Sequence, residues 1–227
     1  MRGAEILIKR KVRQYFENYF SKRDVKQLGN RDFVIVSKNC WGGQLYKWLD
    51  LPYSTPFVGL FLCGPCYIKL LKNFEHYLNQ ELQFIEKSKY EINVKEVYPI
   101  GMLDDVEIHF QHYENKEEAI EKWERRVKRL KNNMNFDNFF FTICDRRGAT
   151  EKIIREFHQL PYKNKVSFGL NKIDGLDANQ HVVIYDNPKS KRTEVQNGKK
   201  LFKLTFLYFD IGNWLNTGMV TRTRFKD

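Results

Sequence analysis

A chain of 227 residues is long enough for one large or two small domains and can bury roughly 70% of its unfolded surface, which excludes a disulfide-stapled miniprotein. With 42% hydrophobic and 15% aromatic residues it has the material for a packed core. Its 39 Lys and Arg against 28 Asp and Glu give a net charge of +11, which suits an anionic partner but comes with no recognisable nucleic-acid module.

Residues 4–20 set Ile8, Val12, Tyr15, Phe16, Tyr19 and Phe20 at helical spacing, with Lys9, Arg10, Lys11 and Arg13 largely on the other side. This predicts a basic amphipathic helix packed on its own domain, with an anionic membrane surface as the alternative. From Asp32 onward, short apolar runs ended by glycine or polar clusters alternate with helical periodicity, the signature of an α/β domain. Strands are predicted at 33–36, 57–62, 94–98, 106–110, 139–144, 166–168 and 182–185. Helices are predicted at 43–49, 67–82, 116–133 and from Thr150 to about residue 158. The 116–133 helix has acidic residues at its start and basic ones at its end, as the helix dipole prefers. Residues 187–200 read as an exposed basic loop, and 202–215 are apolar enough for core in either conformation. The expected architecture is one three-layer α/β/α domain over 32–227, with a mostly parallel or mixed sheet, preceded by the N-terminal amphipathic helix and its connection over 1–31.

Four unevenly spaced cysteines do not form a secreted disulfide framework. The first apolar run is interrupted at Glu5 and ends at Lys9, too short for a leader, and no run approaches the roughly 18 apolar residues of a spanning helix. A cytoplasmic chain, with the inner membrane face as an alternative station, is the expectation. Walker, dinucleotide and nucleophile-elbow patterns are missing. His109 and His112 resemble a ligand pair, but residues three apart on a strand point to opposite faces, so no metal and no cofactor are predicted.

Three βα junctions end in reactive side chains, and parallel strands would bring them to one sheet edge, where open α/β sheets bind ligands. Cys40, ahead of a helix N-terminus, is the candidate nucleophile, His112 its base and Asp145 the group that orients the imidazole. Asn39 and the backbone of Gly42 and Gly43 would cradle an oxyanion or phosphate. Arg146 and Arg147 would clamp an anion, with Trp41 and His109 beside the ligand. A non-catalytic rival keeps the same cleft, with Trp41 and Tyr113 stacking on a sugar. Another rival is thiol-disulfide exchange through Cys63-Gly64-Pro65-Cys66, the four-residue motif of thioredoxins set between a predicted strand and helix. Leu62 stands where thioredoxins usually have Trp, and the flanking lengths fit that fold poorly.

The block from Ser37 to Gly43, the run from Leu51 to Phe61, Tyr98-Pro99, the stretch from Asp105 to Tyr113, the segment from Trp123 to Arg126, Asp145, Phe209-Asp210 and Trp214-Leu215-Asn216 together resemble a bacterial family catalogued as a domain of unknown function. Its members are often labelled exopolysaccharide or capsule biosynthesis proteins. The resemblance implies a cytoplasmic α/β protein acting on a glycan, nucleotide-sugar or acyl-transfer substrate. It assigns no roles to residues 39, 40, 42, 109, 112 and 145, which match its recurring pattern. The expected partner is an anionic small molecule or sugar, nucleic acid is not expected, and the oligomeric state is left open.

Overall fold

The computed structural model describes residues 3–92, 97–132, 134–185 and 191–223. Four parallel strands form the central sheet: β1 (Val34–Ser37), β5 (Phe139–Cys144), β6 (Asn164–Gly169) and β7 (His181–Val183), in that spatial order. Val34 pairs with Phe139 and Phe140 with Asn164, so all four strands leave the sheet at the same edge. The remaining strands, β2 (Gln83–Ile85), β3 (Ile100–Leu103) and β4 (Val106–His109), make a separate antiparallel sheet. The sheet is thus parallel rather than mixed.

Alternation along β1 and β5 divides the interior into two layers. Val34, Val36, Phe139, Phe141 and Ile143 face one core, covered by α4 (Gly64–Lys72), α5 (Phe74–Asn79), α6 (Lys116–Lys131), α7 (Glu151–Gln159) and the antiparallel sheet. Ile35, Phe140, Val166 and Phe168 face the other, covered by α3 (Trp41–Trp48), α8 (Gly198–Thr205) and α9 (Ile211–Thr217). α8 and α9 make the apolar stretch at 202–215 largely helical.

Several expectations are corrected. Residues 57–62 are buried but irregular, with a single antiparallel bridge between Phe61 and His109, because Gly59 adopts φ +75°, which a strand cannot contain. The predicted 67–82 helix is broken at Asn73 into α4 and α5. Residues 93–96, most of the strand expected at 94–98, lie outside the described residues, and β3 begins only at Ile100. The N-terminal helix is two, α1 (Gly3–Tyr15) and α2 (Glu17–Gln27). Its apolar stripe faces solvent rather than the domain. No helix among the described residues is long and apolar enough to cross a membrane.

Candidate functional site

Beyond the carboxyl edge of the parallel sheet lies a cleft of about 370 Å³. β1 runs into Lys38, Asn39 and Cys40, and β5 into Asp145, Arg146 and Arg147. The amide of Leu62 donates to the Lys38 carbonyl at 2.9 Å, which seats the irregular 57–62 segment on the same edge. Phe61 and His109 exchange both backbone hydrogen bonds at 2.9 Å, and His112 donates its amide to the Gly59 carbonyl at 2.9 Å. Distant segments therefore do meet: Cys40, His112, Arg146 and Arg147 line one cleft.

Each predicted side chain has a definite place there. Asn39 accepts the Trp41 amide at 2.9 Å and donates to the Cys144 sulfur at 3.3 Å, so it turns the chain into α3 and fastens that turn to β5. Cys40 is half-buried. Burial pushes its thiol up, and the Arg147 guanidinium offsets this only in part. Trp41 belongs to the core, wedged against Phe168 and Phe202 with its indole N–H on the Thr205 hydroxyl at 3.0 Å. A Cβ on Gly42 would lie 2.9 Å from Ile35 Cγ2, and one on Gly43 would lie 3.2 Å from Val58 Cγ1, so these glycines let α3 lie close to its neighbours. Tyr113 is buried too, its hydroxyl donating to the Val58 carbonyl at 2.6 Å and accepting from Arg126 at 2.7 Å. It offers no stacking face.

His109 and His112 part company. His109 is wholly buried, stacked 4.4 Å behind Phe61, with Nε2 2.7 Å from Glu107 Oε1. Burial lowers its pKa to about 4 despite Glu107. His112 is exposed at the cleft rim. Asp145 gives one oxygen to the Leu170 amide and the other to the Val195 amide, each at 2.8 Å. No bond from it to His112 occurs among the described residues. Arg146 pairs with Glu194 at 2.8 Å and donates to the Val195 carbonyl at 3.1 Å.

Arg147 differs from its neighbour. Its backbone is left-handed, φ 54°, with the amide on Glu194 at 2.9 Å, and its guanidinium carbon sits 3.1 Å from the Phe61 ring centroid. No carboxylate lies within ion-pair distance of that guanidinium among the described residues. Burial, then the neighbouring Arg146, lowers its pKa.

Residues that composition did not reveal complete the site. Lys38 is fully buried at the end of β1 and donates its ammonium to the carbonyls of Cys144, at 3.2 Å, and Arg146. It pins the two strand ends together. Of the loop expected at 187–200, residues 187–190 lie outside the described residues, and across the cleft its end opens α8, whose cap Asn197 accepts the Lys200 amide at 3.1 Å. Gly198 lies against α3, where a Cβ would come within 2.7 Å of Asn39 Oδ1 and 2.8 Å of the Trp41 nitrogen. The N-termini of α3 and α8, like ends of two dipoles, are thus held side by side with Lys199 and Lys200 at the rim. An Asn-Gly-Lys-Lys sequence after a polar run was the only signal of this in the chain.

Cys63 and Cys66 lie apart from the cleft lining, both as buried free thiols. Cys63 caps α4, and burial pushes its thiol up to about 11, away from the thiolate that exchange requires. Cys66 Sγ accepts the Glu107 amide at 3.3 Å.

A family model described as "Domain of unknown function (DUF1919)" matches residues 11–216, spanning both walls of the cleft. An uncharacterized protein of Haemophilus influenzae is 34% identical over 205 residues, which cover 88% of this chain and 92% of that protein. The chain belongs to the DUF1919 family.

Proposed function

We propose that the cleft binds a phosphate-bearing glycan precursor and that the protein transfers or hydrolyses a group on it. One observation carries this reading: Arg147, stacked on Phe61 and without a carboxylate partner among the described residues, shares a cleft with the N-terminus of α8 and with Lys199 and Lys200. Two converging helix ends and an uncompensated guanidinium repel one another until an anion sits between them. A phosphate oxygen satisfies guanidinium and amide donors at once. The sugar moiety is supported by the resemblance to proteins labelled for exopolysaccharide or capsule biosynthesis. His112, exposed at the rim, is placed to exchange a proton with the group being moved. The raised Cys40 thiol favours His112 over Cys40 as the reacting side chain.

The second reading is binding without turnover, favoured by the engagement of Asp145 with two amides, which leaves His112 with no orienting carboxylate among the described residues. Thermal-shift titration with inorganic phosphate, sugar 1-phosphates and nucleotide-sugars tests both, because a ligand of the native state raises its melting point by mass action. We expect stabilisation by the phosphorylated ligands and at least a tenfold loss of affinity in Arg147→Gln, about 1.4 kcal/mol. Stabilisation by neutral sugars alone, or equal affinity in the variant, sinks the proposal. If the phosphorylated ligands bind but are not turned over, the cleft is a binding site; if they are turned over and His112→Asn keeps that turnover, the proton-exchange role of His112 is refuted.

A further inference from the structure

The N-terminal helices turn their polarity inside out. Hydrogen bonds from the Phe16 amide to Val12 at 3.0 Å and from the Phe20 amide to Phe16 at 3.1 Å join α1 to α2, while Phe16 itself leaves helical geometry at φ −99°, ψ 33°, and the Arg13–Asp24 ion pair closes across the bend. Ile8, Val12, Tyr15 and, at its end, Phe16 fall within about 100° of arc on α1, and Tyr19 continues the apolar run on the first turn of α2. That stripe is outermost: Ile8 is 62% exposed, Tyr15 84% and Tyr19 66%. Arg13 points inward instead, 3.8 Å from the Phe206 ring and 4.8 Å from Trp48, and pairs with Asp24. Asp24 also accepts the Trp48 indole N–H at 2.9 Å, and Ser21 donates to the Trp48 carbonyl at 2.5 Å. These contacts fix the rotation of both helices. Turning the stripe inward would break a half-buried ion pair and strip Trp48 of its partner.

A contiguous stripe of this size marks an interaction surface. Its surroundings select the partner. Residues 3–27 carry seven Lys and Arg against three Asp and Glu, and one of those acids, Asp24, is already shared by Arg13 and Arg23. Lys11, Lys22 and Lys26, all exposed, border or extend the stripe at helical spacing. A second copy of the chain would set two such cationic surfaces against each other, whereas an anionic bilayer matches both features. We propose that α1 and α2 dock this stripe on an anionic lipid surface, rings at the boundary between headgroups and acyl chains and the three lysines on the headgroups. The proposal stands independently of the cleft.

Co-sedimentation of the full chain with vesicles tests it. We expect binding to phosphatidylcholine vesicles containing phosphatidylglycerol at least tenfold tighter than to phosphatidylcholine alone, weakening with added salt. The triple variant Ile8→Ser, Tyr15→Ser, Tyr19→Ser should partition at least tenfold less while melting at an unchanged temperature. Lys11→Glu, Lys22→Glu, Lys26→Glu should erase the preference for phosphatidylglycerol. Absence of binding to either vesicle overturns the proposal, as does equal binding by the serine variant. A lipid-free dimer that the serine variant abolishes, with no vesicle binding, assigns the stripe to a second copy and overturns it too.

Discussion

Asp145 follows β5, with each carboxylate oxygen 2.8 Å from a backbone amide, Leu170 on one side and Val195 on the other. Those amides belong to the segments that follow β6 and precede α8, so one side chain ties three parts of the cleft edge together. Burial pushes its pKa up while the two amides hold it down. A carboxylate so used acts on structure. Asp145→Asn keeps one acceptor oxygen and turns an NH₂ toward the other amide, leaving a half-buried donor unpaired. We expect a loss of about 1–3 kcal/mol in chemical denaturation with no change in phosphate affinity. An unchanged stability with a loss of turnover would instead return Asp145 to the orienting role. Arg146 and Arg147 make the matching contrast, since only the first has its charge matched, by Glu194. Adjacent in sequence and identical in type, they could not be told apart until Phe61 and Glu194 were located.

Where α3 and α8 meet, the limiting contact is backbone on backbone. Gly198 opens α8 so close to α3 that a Cβ would stand 2.8 Å from the Trp41 nitrogen and 2.9 Å from the Cys40 nitrogen. Gly198→Ala would gain helix propensity but must drive the two helix ends apart, for a net cost of about 1–3 kcal/mol. The same change should weaken phosphate binding, since it separates the paired N-termini. Gly212→Ala in α9 is the control: its Cβ would meet only Asp210 Oδ1, at 3.6 Å, and it should stabilise by about 0.5–1 kcal/mol. Melting curves of the two variants that move in the same direction would refute this account. Elements such as β5 and α6 were legible because each carries a pattern that burial or the helix dipole dictates: an apolar run broken only by Thr142, or an apolar stripe with charges sorted to its ends. Residues 57–62 carry the same apolar signal as a strand because they are equally buried, and only Gly59 betrays the turn. α8 went unread because its first turn is polar, and the N-terminal stripe misled because periodicity reports a face and not which way it points.

Across the whole molecule, three histidines are kept neutral. His181 sets Nε2 2.9 Å from the Asn171 carbonyl, so that nitrogen bears hydrogen, and Nδ1 lies 2.7 Å from the Ser167 hydroxyl, which also has the Gln180 carbonyl at 3.3 Å. His158 Nε2 lies 2.8 Å from the same hydroxyl. This cluster links α7, β6 and β7. Burial first, then the neighbouring Lys165, lowers the His158 pKa to about 4, and burial likewise lowers that of His181. His109, on β4, is lowered to about 4 by burial against the pull of Glu107. In the unfolded chain these imidazoles titrate near 6.5. Because the folded values lie below the unfolded one, their contribution to stability is complete above about pH 6.5 and drains away as pH falls toward 4, where the unfolded chain binds more protons. Each withheld proton contributes a slope of about 1.4 kcal/mol per pH unit within that window. Unfolding free energies measured by denaturant between pH 7 and 4.5 should therefore fall steeply. His158→Gln, which can still hydrogen-bond Ser167, should remove about one proton from that slope, and an unaltered slope would mean that His158 is charged in the fold.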